Sequence, residues 1–270
     1  MRLNGRNAVI YGAGGSMGGA VARAFAAEGA RVFVTGRTAG KVHELADDIA
    51  AGGGAAHAAQ VDALDAQAVS GYLDGVASRF ATLDLSFCAI DISPVQGVPL
   101  VEMSLGDFLS PIRLAMESQF ITATAAGRIM KRQRSGVILL LTATPGGIGY
   151  PNVGGFGPAC AAMEAFSRNL ASELGPFGVR VVTVRSGGSP DSRIFQDAVS
   201  ANPQETEAAL RKMRDDTMLK ELPPMADIAR AAVFLASEDA ARITGITLDV
   251  TCGTTAALNY RVPPIAFVER

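Results

Sequence analysis

The sequence predicts an α/β chain, a doubly wound and mostly parallel sheet of seven strands with helices on both faces. Three observations carry this expectation. Short apolar runs alternate with amphipathic segments of roughly 10 to 25 residues along most of the chain, the pattern of repeated βαβ units. Glycines punctuate the junctions, so strand-to-helix turns and helix ends are marked locally. The chain has 270 residues, 49% of them apolar and 30 of them glycine, enough for one sizeable core.

Each element follows from its own pattern. Residues 7–11 (NAVIY) are an apolar run ending in glycines. Residues 16–29 then have helical spacing, with Val21, Ala24 and Phe25 on one face and Gly29 closing the end. RVFVT (31–35) reads as a second strand and AGKVHELADDIAAGGG (39–54) as a helix stopped by glycines. HAAQVDA (57–63) is a third strand, 65–80 a helix, and LDLSFCAI (83–90) a fourth strand. Ser104 and Asp107 are spaced as a capping box for a long helix reaching about Arg132. GVILLLTA (136–143) is a fifth strand, 155–173 a helix, VRVVTV (179–184) a sixth strand and ITLDV (246–250) a seventh. Alternation of this kind places right-handed crossovers, and so helices, on both faces. No repeat or linker divides the chain, so 1–270 reads as one domain with a tail over 254–270. Residues 189–224 differ: polar, charged, helix-prone and long for a connection. They are expected to form a helical lid over a ligand crevice at the strand C-termini.

Composition removes several classes of function. The formal net charge is −2 and no block of like charge appears, which argues against a nucleic-acid or membrane surface as main partner. The three cysteines, Cys88, Cys160 and Cys252, lack CxxC spacing and suggest a reducing compartment without structural zinc. No His/Asp/Glu cluster has metal spacing, the apolar run 136–141 is too short for a bilayer, and the N-terminus lacks a signal layout. A cytoplasmic protein acting on a small molecule, without a metal, is the resulting expectation.

The stretch YGAGGSMGGA (11–20) follows a strand and opens a helix. Missing side chains let a pyrophosphate approach the backbone there, and a helix N-terminus offers N–H groups and positive potential. A tight packing turn is the plainer alternative. With this turn, Asp62 in VDALD, and the segments LASELGPFGVRVVTV (170–184) and ITGITLDVTCG (243–253), nearly the whole chain resembles the short-chain dehydrogenase/reductase family. The resemblance implies a Rossmann-like fold and a nucleotide held by Gly12, Ser16, Met17, Gly18, Arg37, Val61, Asp62 and Ala89. Gly12 and Gly18 stand at the outer glycines of the family turn TGxxxGxG, with Ser16 at the middle one. Gly36-Arg37 stands where an Asp would be expected for a free ribose hydroxyl, so the resemblance implies NADP(H) over NAD(H).

The same resemblance shows what is missing. The family's proton-donating tyrosine corresponds to Phe156, the lysine one turn later to Cys160, the strand serine to Ala143, and the relay asparagine to Ala115 or Met116. CAID (88–91) replaces the family's NNAG and puts Asp91 in a glycine's place. The PG after the sixth strand becomes Ser186-Gly187, and the threonine beyond becomes Pro190. A general acid contributes about 10² to 10⁴ in rate, so ordinary ketone reduction is expected to be very slow. The remaining catalytic candidates are Tyr150 as a substitute proton donor, Thr142 and Thr144 as hydrogen-bonding groups, Cys160 as a thiol and Asp191 at the lid. Arg185 joins Ala143 and Phe156 at the substrate cleft.

Three functions stay open on the sequence. One is an enzyme of non-standard chemistry, such as dehydration, cyclisation or isomerisation, with or without NADP(H). Another is an inactive NADP-binding sensor or subunit. The third, less favoured, is a reductase using Tyr150. The helices at about 104–132 and 155–173 resemble the family's dimer and tetramer contacts, implying a homodimer or homotetramer.

Overall fold

The structure, a computed structural model, is described for residues 1–257; the tail beyond 257 lies outside the described residues. Seven strands form one sheet: β1 (Asn7–Tyr11), β2 (Arg31–Gly36), β3 (Ala55–Gln60), β4 (Leu85–Cys88), β5 (Gly136–Ala143), β6 (Val179–Ser186) and β7 (Thr247–Val250). Their order is β3-β2-β1-β4-β5-β6-β7 and every pairing is parallel. The strand order reverses between β1 and β4, which opens a crevice beyond their C-terminal ends.

Helices α1 (Ser16–Ala27) and α2 (Ala39–Ala51) follow β1 and β2, and α3 (Ala66–Phe80) follows β3. Helix α4 (Leu105–Gln133) precedes β5, and α5 (Phe156–Leu174) precedes β6. A further helix, α8 (Met225–Ala236), stands in a stretch to which the sequence reading assigned nothing. Val21, Phe25, Val42, Leu45, Ile49, Ile228, Val233 and Leu235 bury one sheet face under α1, α2 and α8. Val69, Leu73, Ile129, Met130, Leu170 and Leu174 bury the other under α3, α4 and α5. Burial of the central strands is what makes them read as continuous apolar runs.

Several strand boundaries move from expectation, and two of the moves shape the crevice. β3 runs over Ala55–Gln60 in register with β2 (Arg31↔Ala55 to Gly36↔Gln60), so Val61–Ala63 leave the sheet and turn into the crevice wall. β4 stops at Cys88, and Ala89 follows with its amide donating to the Tyr11 carbonyl. Half of the capping box forms: the Asp107 amide donates to Ser104 Oγ at 3.1 Å, while the Asp107 carboxylate accepts from that hydroxyl at 2.7 Å and not from the Ser104 amide. The segment expected as a lid holds two helices, α6 (Arg193–Ala201) and α7 (Pro203–Asp215).

Gly155, the residue before α5, fixes where that helix starts. A Cβ there would lie 1.9 Å from the Phe108 carbonyl oxygen and 3.0 Å from Pro111 Cγ, so α5 begins flush against α4. Pro111 sits in the second turn of α4, where its missing N–H costs only one helical hydrogen bond. This contact carries Phe156 to the end of β5.

Candidate active site

The crevice at the switch point has a volume of about 260 Å³. Its floor is Tyr11, Gly12, Gly14 and Gly15; its walls include Gly36, Arg37, Thr38, Lys41, Val61, Asp62, Ala89 and Asp91. Gly12 has φ +70° and a Cβ there would stand 2.4 Å from the Ala89 carbonyl oxygen. Only glycine satisfies both demands. Gly18 closes the same turn, because its Cβ would lie 2.4 Å from the Gly12 oxygen. The first turn of α1 carries no acidic residue and no side-chain cap, which leaves its amides free for an anion.

Of the eight residues expected at a nucleotide, Gly12, Arg37, Val61, Asp62 and Ala89 line the crevice. Three do other work. Met17 packs against the core, Gly18 is a packing glycine, and Ser16 Oγ accepts the Arg193 amide of α6 at 3.1 Å. The Arg37 guanidinium makes no ion pair among the described residues, and its carbonyl accepts from Gln60 Nε2 at 3.0 Å. Lys41 is exposed and also lines the crevice, at the foot of α2 one turn from Thr38. Asp91 lies in the wall as expected, yet its carboxylate accepts from the Ser93 amide at 3.0 Å and hydroxyl at 3.2 Å, which turns its charge onto its own loop. Tyr11, which the sequence reading passed over, is 1% exposed, and its hydroxyl lacks a hydrogen-bond partner among the described residues. Burial first, then Cys88 and Tyr72, hold its pKa well above the ordinary phenol value.

Beyond Leu114 of the crevice wall, Ala143, Phe156 and Cys160, none of which lines the crevice, meet in one apolar cluster with Ile92, Ala115, Met116 and Met163. The α5 start set by Gly155 and the end of β5 bring them together. Cys160 is fully buried, and burial pushes its thiol up to about 11, so at neutral pH it is a protonated packing group and not a nucleophile. Tyr150 is half-buried beside α7, and burial, followed by the Asp216 carboxylate, raises its pKa; Lys212 opposes only in part. A tyrosine tuned in that direction is a weaker acid than a free one, which counts against the substitute-donor role.

The residue that sequence reasoning missed is Glu164, two turns beyond Phe156 on α5. Its carboxylate takes a bidentate grip on Arg185, Oε1 from Nε at 2.9 Å and Oε2 from Nη2 at 2.6 Å. Thr142 Oγ1 donates to Glu164 Oε1 at 3.0 Å, and Arg185 Nη1 donates to Asp249 Oδ1 at 2.8 Å. The parallel register explains the row: Thr142 pairs with Arg185 and Arg185 with Asp249, so all three project from one sheet face. Side-chain exposure is 6% for Glu164 and 12% for Arg185. The Glu164 hydrogen bonds raise the pKa of Arg185 further above its ordinary value against the burial that opposes it.

This corrects three expectations. Arg185 is locked by two carboxylates, so its guanidinium is engaged within the protein. The Thr142 hydroxyl is occupied by Glu164. Asp191, a catalytic candidate at the lid, instead accepts the Met225 amide at 3.0 Å and so caps α8. Thr144 begins the short 3-10 turn Thr144–Gly146 that lies on α5, where a Cβ at Gly146 would stand 2.6 Å from Glu164 Oε1. The signal for the lock was a charged residue in an apolar helix face, at the spacing that points back under β5 and β6. Among the described residues no group of His, Cys, Asp and Glu is placed to hold a metal, and no helix is long and apolar enough to cross a membrane.

Residues 12–255 match a family model described as enoyl-(acyl carrier protein) reductase. The 7alpha-hydroxysteroid dehydrogenase of Escherichia coli (strain K12) is 30% identical over 260 residues, covering 96% of this chain and 98% of that protein. A solved short-chain type dehydrogenase/reductase from Mycobacterium marinum is 28% identical with a TM-score of 0.83, over 94% of this chain and 97% of that one. An NAD+-bound xylitol dehydrogenase structure superposes with a TM-score of 0.87 at 21% identity, over 94% of this chain and 100% of that one, a likeness of fold.

Removing one partner of a buried, hydrogen-bonded pair strands the other. Arg185→Met is therefore expected to lower unfolding stability by about 3–5 kcal/mol in urea denaturation. The double variant Glu164→Met/Arg185→Met should regain most of that loss. Single and double variants of equal stability would show that the lock does not hold the site.

Proposed function

We propose, for a chain that belongs to the short-chain dehydrogenase/reductase family, that the crevice binds NADP(H) and that the protein transforms a small organic molecule beside it without proton delivery from a tyrosine–lysine pair. The observation that carries this is the pairing of two unlike halves. One half is a glycine floor with two cations, Arg37 and Lys41, at its rim. The other is the apolar cluster of Ala143, Phe156 and Cys160.

The residues present fit the dinucleotide. Gly12, Gly14 and Gly15 leave backbone open to a close approach, and the uncapped first turn of α1 suits a pyrophosphate. Arg37 and Lys41, with Thr38 between them, suit a 2′-phosphate, and nothing acidic stands at Gly36 to prefer a ribose hydroxyl. NADP(H), when bound, supplies or takes up a hydride. The chain's own contribution at the far end is shape, because Ala143 and Phe156 have no acidic proton and the Cys160 thiol keeps its own near neutral pH.

Relatives named as dehydrogenases support an oxidoreductase whose substrate exchanges its proton with solvent. A second reading, dehydration, cyclisation or isomerisation in the same cleft, draws its support from the apolar cluster itself, which suits reactions steered by fit more than by acid–base groups. An inactive sensor with the same crevice is the remaining alternative; turnover by the purified chain alone separates it from both. Contact with a second copy through α4 and α5 is part of the proposal. Phe120 on α4 is 55% exposed and lies 6.0 Å from Phe166 on α5, an aromatic pair on an accessible face.

Fluorescence titration tests the cofactor half. NADPH is expected to bind at least tenfold more tightly than NADH, and Arg37→Met to erase most of that difference while changing NADH affinity little, as removal of a charge-assisted phosphate contact requires. Equal affinities in the wild type would contradict NADP preference, and no binding of either nucleotide would remove the dinucleotide reading. Light scattering at micromolar concentration tests the contact face. A dimer or tetramer mass is expected, reduced by Phe120→Glu; a wild-type monomer would count against it.

A further inference from the structure

Ser16 lies where two parts of the molecule meet that are 177 residues apart in sequence. It is the first residue of α1, and its Oγ accepts the backbone amide of Arg193, the first residue of α6. Ser192, which precedes α6, gives no side-chain cap, so this amide would otherwise be one of the orphan donors of a helix start. Ser16 caps the lid helix from outside its own chain segment. A glycine at this position has no oxygen with which to do so.

The rest of the lid is held differently. Met213 and Phe195 pack on Gly188, where a Cβ would stand 2.3 Å from Met213 Cε and 3.2 Å from Phe195 Cζ. Beyond α7 the Met218 and Leu219 amides donate to the Cys252 carbonyl at 3.0 and 3.2 Å. Among the described residues the Ser16–Arg193 bond is the side-chain hydrogen bond that joins α6 to the glycine turn. A serine hydroxyl that accepts one hydrogen bond keeps its own proton to donate. Ser16 stands beside Gly14 and Gly15, the crevice floor, at the uncapped start of α1.

We propose that Ser16 is a positioning residue that links the order of the lid to occupancy of the phosphate end of the crevice. This rests on the reading that the crevice takes a dinucleotide. The hydroxyl accepts from the Arg193 amide and donates to a phosphate oxygen, and each of these bonds polarises the other. Binding therefore orders α6, and an ordered α6 raises affinity by the same factor.

Hydrogen exchange of lid peptides, measured on the full chain for wild type, Ser16→Ala and Ser16→Gly, with and without NADPH, tests this. Without ligand, the amide of Arg193 is expected to exchange on the order of fivefold faster in both variants, the size of one net hydrogen bond. NADPH should slow lid exchange in the wild type and fail to do so in the variants, even at concentrations that saturate them. Unchanged ligand-free exchange in the variants would overturn the proposal. So would equal NADPH protection in wild type and variants, which leaves the dinucleotide reading standing. A wild type that binds no NADPH overturns the coupling and that reading together, and direct titration of the same samples tells the two failures apart.

Discussion

The site depends on one close approach. At the end of β1 the chain turns through Gly12 with its α-carbon against the Ala89 carbonyl at the end of β4. β1 and β4 are the neighbours at which the strand order reverses, so this contact lies at the mouth of the crevice. A side chain at Gly12 would push the two strand ends apart or fill the floor. From it follow the tight turn closed by Gly18 and the free amides at the start of α1.

The opposite side of the crevice is set by two forces of different kinds. The fit of Gly155 against Phe108 delivers the start of α5 to the end of β5, and apolar packing then gathers Phe156, Cys160 and Ala143. One turn deeper the packing gives way to charge. Glu164 and Asp249 hold Arg185 between α5 and the sheet, and the cost of burying the Glu164 and Arg185 charges is offset by their bidentate pair, a threonine hydroxyl and the more exposed Asp249 carboxylate. The cation nearest the apolar cluster is thereby fully engaged. Neither the thiol of Cys160 nor this guanidinium is free to give or take a proton at neutral pH.

Much of the fold was legible because its signals are local. Apolar runs, glycine stops and the Ser104–Asp107 box each read correctly within a few residues, and their alternation implies the parallel sheet. The ends of β3 and β4 were not legible, because they depend on where a neighbouring strand stops. The nucleotide end of the site was partly legible. Gly12 announces itself by its place after a strand, but Lys41 enters the crevice only because α2 starts where it does. The lock was hidden. Arg185 carries a charge that invites a ligand, and its true partners are a helix residue 21 positions away and a strand residue 64 positions away. Asp191 misled in the same manner, since its carboxylate satisfies the first amide of α8, 34 positions on, as readily as it would meet a substrate. Tyr150 lies on the loop after β5, and only the fold shows that it is half-buried with the Asp216 carboxylate acting on it.

A crystal structure grown with NADP+ tests the central claim most directly. The account predicts nucleotide in the crevice over Gly12 and alongside Ala89, with Ala143, Phe156 and Cys160 nearest its nicotinamide end and Arg185 still held by Glu164 and Asp249. A tyrosine hydroxyl and a lysine or arginine converging within hydrogen-bond reach of that ring would contradict it, as would a crevice left without nucleotide at saturating concentration.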